Sequence, residues 1–259
     1  MTVKDVEKFL YQWAPKELAE SWDNVGHLVG EDHEVKKILI SLDITEKVVA
    51  EAVEQGADLI VSHHPVMNCT WHPVQTVNGD NAQGRMLLTM AKHGISAVCM
   101  HTNLDAAEGG VNDVLAEKLG LHDLEMLNDE KIGRVGTINS DLPLVEFVSF
   151  VVKSLGCNGA RYTDAGKPVR RVAVGGGACA DYIPNAIALG CDTFVTSDLK
   201  YHEFLDTTGI NLIDAGHFPT ENVICPEIAR RLAQAFPTAE VLISTAQSRE
   251  VIQYCIKEK

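Results

Sequence analysis

The chain has 259 residues, 46% hydrophobic and 22% charged, with nine prolines, the composition of a folded protein of one large or two small domains. Its formal net charge of −14, with no basic stripe to offset it, argues against nucleic acid as a partner, because phosphate contacts require Lys and Arg. No apolar run approaches the roughly 20 residues that cross a bilayer, the opening MTVKDVEKFLYQW has helical spacing rather than a secretory pattern, and seven scattered cysteines without a CxxC fit free thiols, so a soluble, cytoplasmic protein is expected.

Short β-branched runs then alternate with amphipathic segments. KKILISLD (36–43) reads as a strand, TEKVVAEAVEQG (45–56) as a helix opened by Thr45 and closed by Gly56, and DLIVS (58–62) as a second strand. NAQGRMLLTMAKHG (81–94) reads as a helix, ISAVCM (95–100) as a strand and GGVNDVLAEKLGL (109–121) as another helix. This alternation implies an α/β fold with mainly parallel sheets flanked by helices.

The same grammar returns downstream. Residues 169–196 can be laid on 35–62 at a constant offset of 134 without a gap, so that Lys36-Lys37 match Arg170-Arg171 and GAD (56–58) matches GCD (190–192). Further on, His101-x-x-x-Asp105 falls where His217-x-x-x-Glu221 falls, each directly after a strand. Two generic βαβ units would share the strand pattern; the matched polar residues favour an internal duplication. The expected organisation is two related halves, 1–125 and 126–259, with terminal segments free to pack across them and a metal site between them.

In a parallel α/β sheet, ligands collect at the carboxyl ends of the strands, and SHH (62–64), HTNLD (101–105) and HFPTE (217–221) each occupy such an end. An HH pair alone is usually a surface or helix-capping feature, and Asp105 and Glu221 alone fit helix caps. Capping does not explain why three strand ends all carry histidine. Successive side chains of an extended segment alternate, so His63 and His64 are expected to diverge toward two metal ions roughly 3.5–4 Å apart, with Asp105, His217 and Glu221 completing the set. Glu221 is the expected bridge, and Asp105 is expected to go with the ion of His64. His101 fits either a ligand or a group that orients Asp105 or touches substrate. GGG (175–177) lacks a phosphate-loop pattern and reads as a tight turn.

Six stretches, ESWDNVGHLVG (20–30), LIVSHHPV (59–66), HTNLDAAEGGVND (101–113), GRVG (133–136), VTSDLKYHEF (195–204) and DAGHFPTE (214–221), occur in the order that resembles the NGG-interacting-factor-three-like family, whose members are also called GTP cyclohydrolase I type 2 homologues. The resemblance covers nearly the whole chain. It implies two related α/β halves, a homohexamer built as a ring of trimers, and a dinuclear metal centre held by His63, His64, Asp105, His217 and Glu221. The stretch from about 125 to 133 leaves no room for the further domain that some members insert. His27, and Met67-Asn68 after SHHP, depart from the family's usual residues and imply a different pocket wall.

Imidazole and carboxylate ligands without thiolate admit zinc, iron, manganese, cobalt or nickel. Two divalent cations against Asp105 and Glu221 leave a nominal charge of about +2, suited to an anionic or carbonyl-like small molecule. The first functional expectation is a dinuclear metal-dependent hydrolase of a nucleotide or related phosphorylated compound, compatible with opening of the guanine imidazole ring at C8. The alternative is a non-catalytic metal-binding or regulatory hexamer that engages other proteins; it calls for a closed coordination sphere, and six candidate ligands do not close two ions.

Overall fold

Helix α2 (Glu46–Gln55) starts and stops where the sequence places its signals, and the computed structural model, which describes residues 1–69, 72–247 and 249–255, shows why. Thr45 accepts a hydrogen bond from the Val48 amide at the N-terminus, and Gly56 ends the helix in the left-handed region at φ 64°, which costs a glycine little. Before it come α1 (Val3–Trp13), β1 (Gly26–Val29) and β2 (Lys37–Ser41); after it come β3 (Leu59–Ser62), α3 (Ala82–His93), β4 (Ser96–Cys99) and the short α4 (Thr102–Ala106). The chain continues through α5 (Val111–Lys118), β5 (His122–Met126), β6 (Arg134–Leu142), α6 (Leu144–Leu155), β7 (Arg161–Thr163) and β8 (Val169–Val174). It ends with α7 (Ile183–Ala188), β9 (Thr193–Thr196), α8 (Tyr201–Asp206), β10 (Asn211–Asp214), α9 (His217–Glu221), α10 (Ile224–Ala235) and β11 (Glu240–Ile243).

These elements divide into two units. The first comprises Met1–Glu108 with Ile224–Ser248, the second Gly109–Val223 with Arg249–Lys259. The sequence sets its division near 125; by backbone contact α5 and β5 lie in the second unit, and α10 and β11 return to the first. Trp13 under the Arg231 guanidinium at 4.1 Å and Phe9 edge-on to Phe236 at 5.5 Å tie α1 to the α10 region.

The first unit holds a five-stranded sheet of order β1-β4-β3-β2-β11, parallel except for β1. Val48, Val49 and Ala52 of α2 and Met86, Leu87 and Met90 of α3 pack with Leu39, Ile60 and Ala97 of the sheet. Each fully buried aliphatic chain of this kind contributes about 2 kcal/mol. The second unit holds a six-stranded sheet of order β5-β6-β8-β9-β10-β7. Here the expectation of a mainly parallel sheet needs correction: β8-β9-β10 are parallel, but β5-β6, β6-β8 and β7-β10 are antiparallel. The short link from β5 to β6 can only reverse the chain, since a parallel pair needs a crossover of about a dozen residues or more.

The repeat extends to the hydrogen bonds. Ile38 pairs with Leu59 in the first sheet, and Val172 pairs with Thr193 in the second, the same register at the same offset. The Asp58 carboxylate accepts from the amides of Lys36 and Lys37, and Asp192 accepts from those of Arg170 and Arg171. In the second unit the buried Arg134 side chain forks onto Asp113 of α5 at 2.9 and 2.7 Å and donates to the carbonyls of Lys131 and Gly133. No helix among the described residues is long and apolar enough to cross a membrane.

Candidate metal centre

The ends of β3 and β4, neighbours in a parallel ladder, bring three histidines together in the first unit. The His64 amide continues the pairing with a bond to Leu42 O at 2.9 Å, while the Ser62 hydroxyl folds forward onto His64 O at 2.8 Å. The backbone therefore bends at His63 and His64. The ring centroids of His63 and His64 are 5.1 Å apart, with the ring planes tilted by 42°, and His101 stands 5.2 Å from His63 and 5.6 Å from His64. All three are buried.

Each of these rings is oriented through Nδ1. His63 Nδ1 lies 2.8 Å from Met100 O, His64 Nδ1 2.6 Å from Asp43 Oδ1 and His101 Nδ1 2.9 Å from Asp23 Oδ1. An acceptor at Nδ1 selects the tautomer that keeps the Nε2 lone pair, the form that ligates a metal. Ligand nitrogens of His63, His64 and His101 lie within 4.8 Å of one another, a set that fits a metal ion. Asp105, one helical turn after His101, places Oδ1 3.6 Å from His63 Nε2.

Burial works against ionisation of Asp23, but bonds from His101 and from the Thr102 hydroxyl and amide prevail and hold its carboxyl at about 2.

The second unit repeats the device. His217 and Glu221 open and close α9, with Nε2 2.9 Å from Glu221 Oε2, and His217 Nδ1 lies 2.7 Å from Asp198 Oδ2. Burial disfavours the imidazolium, yet Glu221 and Asp198 together push His217 up to about 11. A proton on Nε2 thus joins His217 to Glu221, and a metal ion competes for the same two atoms.

The 175–177 glycines form a turn, as expected, and their amides are spent inside the protein. Gly175 donates to Val195 O, Gly176 to Asn112 Oδ1 and Gly177 to Thr220 Oγ1. This turn is therefore not built as a phosphate cradle. Gly177 sits at φ 65°, and a β-carbon there would lie 2.1 Å from Glu221 Oε1.

Sequence reasoning reached His63, His64, His101, Asp105, His217 and Glu221 but missed the orienting carboxylates Asp23, Asp43 and Asp198. The available signal was position: Asp43 and Asp198 follow the ends of β2 and β9, on the same strand edge as the histidines.

The chain matches the model of the Duf34/NIF3 (NGG1p interacting factor 3) family over residues 1–250. It belongs to that family. A relative from Clostridium perfringens, named GTP cyclohydrolase 1 type 2 homolog, is 31% identical over 98% of this chain and 100% of its own length. One from Streptomyces coelicolor with the same name is 36% identical over 80% of this chain and 77% of its own. Among solved structures, a Staphylococcus aureus hypothetical protein aligns with a TM-score of 0.90 at 29% identity, covering 98% of this chain and 99% of that one. The reduced form of HcgD from Methanocaldococcus jannaschii aligns at 0.81 and 28% identity, covering 94% and 97%.

Proposed function

We propose that this Duf34/NIF3 protein is a dinuclear metal-dependent hydrolase acting on a nucleotide or a related phosphorylated small molecule. The observation that carries the reading is the shared construction of the histidines: His63, His64, His101 and His217 each have Nδ1 against an oxygen acceptor, the arrangement of metal-ligating imidazoles. On this reading His63, His64, Asp105, His217 and Glu221 would hold two divalent ions, zinc, iron, manganese, cobalt or nickel. When bound, the ions supply Lewis acidity and lower the pKa of a coordinated water.

The chain's own residues prepare for that chemistry. Asp43, Asp23 and Asp198 hold the imidazoles in position, and His101, beside both His63 and His64, is placed to contact substrate or to steady the ligands. The names of the relatives make GTP a first compound to try. The family resemblance motivates a cytoplasmic homohexamer as the proposed assembly, and light scattering that finds a monomer at micromolar concentration overturns it.

The test of function is turnover of nucleotides and phosphoesters by metal-stripped protein reloaded with one metal at a time. Hydrolysis of at least one nucleotide with at least one metal is expected. Two ions bound per chain and no turnover with any compound would favour the alternative, a metal-binding assembly that engages other proteins.

A further inference from the structure

His64 differs from its neighbours in how its orienting group is itself held. His63 leans on a backbone carbonyl, and the acceptor of His101 is fixed nearby by Thr102. Asp43, the acceptor of His64, is gripped from the far end of the chain. Its amide donates to Gln247 Oε1 at 2.7 Å, and Gln247 Nε2 donates back to Asp43 Oδ2, a reciprocal pair across 204 positions of sequence.

Gln247 is in turn well placed. β11 lies parallel to β2 with Ile243 opposite Ile40, which brings the following residues to the β2 strand end. The Glu51 carboxylate then accepts from the hydroxyls of Ser244 and Thr245 and from the amides of Thr245 and Ala246. Four donors on one carboxylate pin the segment that carries Gln247.

We propose that Gln247 is a positioning residue for His64. With Oδ2 engaged by Gln247, the Asp43 carboxylate presents Oδ1 to His64 Nδ1 in one orientation, so His64 keeps a single tautomer and aims Nε2 toward the cluster. Without Gln247 the carboxylate rotates about its terminal torsion, and the imidazole loses both its fixed tautomer and its fixed direction. The consequence for metal binding rests on the reading given above; the orientation of His64 does not.

The test is Gln247→Leu, which keeps the volume and removes both hydrogen bonds, compared with native protein in three measurements. Long-range proton–nitrogen NMR of the metal-free protein reads histidine tautomers; zinc titration reads ion affinity; thermal melting reads the fold. A single Nδ1–H tautomer at His64 in native protein and a mixture in the variant are expected, with His63 and His101 unchanged and melting close to native. One of two zinc ions should then weaken roughly tenfold or more. An unchanged His64 tautomer overturns the proposal, as does a shift of all three histidines together with a lowered melting temperature. Native protein that takes up no zinc refutes the metal reading alone, and the tautomer comparison still decides the role of Gln247.

Discussion

Gly177 and Glu221 are in steric register: the α-carbon of the glycine stands so close that an added methyl would fall 2.1 Å from Glu221 Oε1. Glu221 is buried on α9 and engaged with His217, so its carboxylate has little freedom to retreat. Gly177→Ala is expected to cost about 1 kcal/mol of stability from the left-handed backbone and, separately, to displace Glu221 and lower metal uptake. Metal analysis against urea unfolding separates the two effects; native metal content in the alanine variant would show that Glu221 does not serve as a ligand.

Glu221→Gln keeps size and hydrogen bonding but removes the charge. If Glu221 bridges two ions, both should lose affinity together in a two-metal titration. Retention of one ion at native affinity would make Glu221 a terminal ligand. Asp105→Asn is the companion change. The sequence pairs Asp105 with the ion of His64, whereas its approach to His63 at 3.6 Å points to the ion of His63 as the one that weakens.

Much of this arrangement is legible in the sequence because it is local. Thr45 and Gly56 frame α2, and the strand-end positions of SHH, HTNLD and HFPTE follow from hydrophobic runs that stop abruptly. The unread parts depend on contacts distant in sequence. Asp23 reaches His101 across 78 positions, and β11 joins β2 although Ile243 lies 203 positions after Ile40 (243 − 40), with Gly109–Val223 of the second unit in between. The antiparallel edges of the second sheet escaped notice because β5 is exposed and mostly polar, with no apolar period to mark it.

Asp23 carries a pH signature. Its folded pKa of about 2 lies below the ordinary 3.8, so its ionic bonds stabilise the fold above about pH 4, and that contribution disappears as the pH falls through 2. The side chain is fully enclosed, and the shift corresponds to roughly 2 kcal/mol. Asp23→Asn should therefore be less stable than native protein at pH 6 by about that amount, with the gap closing near pH 2. Urea unfolding at both pH values checks this; a constant gap would mean that packing, not ionisation, is lost.

Arg134 and Asp113 form the other critical pair. Replacing Arg134 with Met leaves the Asp113 carboxylate without its forked partner, and a loss of about 3 kcal/mol is expected. Adding Asp113→Leu should recover much of it. Chemical denaturation of the single and double variants decides the matter, and a single-variant loss below about 1 kcal/mol would show that the pair is replaceable.

The return of α10 and β11 to the first unit sets an order on biosynthesis. As the chain leaves the ribosome, Lys37–Ser41 of β2 has β3 on one side and nothing on the other until Gly109–Val223 of the second unit has been made. During that interval a largely apolar strand edge stands open to any passing segment, which makes this stage the vulnerable one for association between nascent chains. The last strand closes that edge and delivers Gln247 to Asp43 in the same event. The first unit, begun before the second, is thus completed only after Gly109–Val223 of the second has been made, and His64 acquires the hold of Gln247 on its Asp43 acceptor only then.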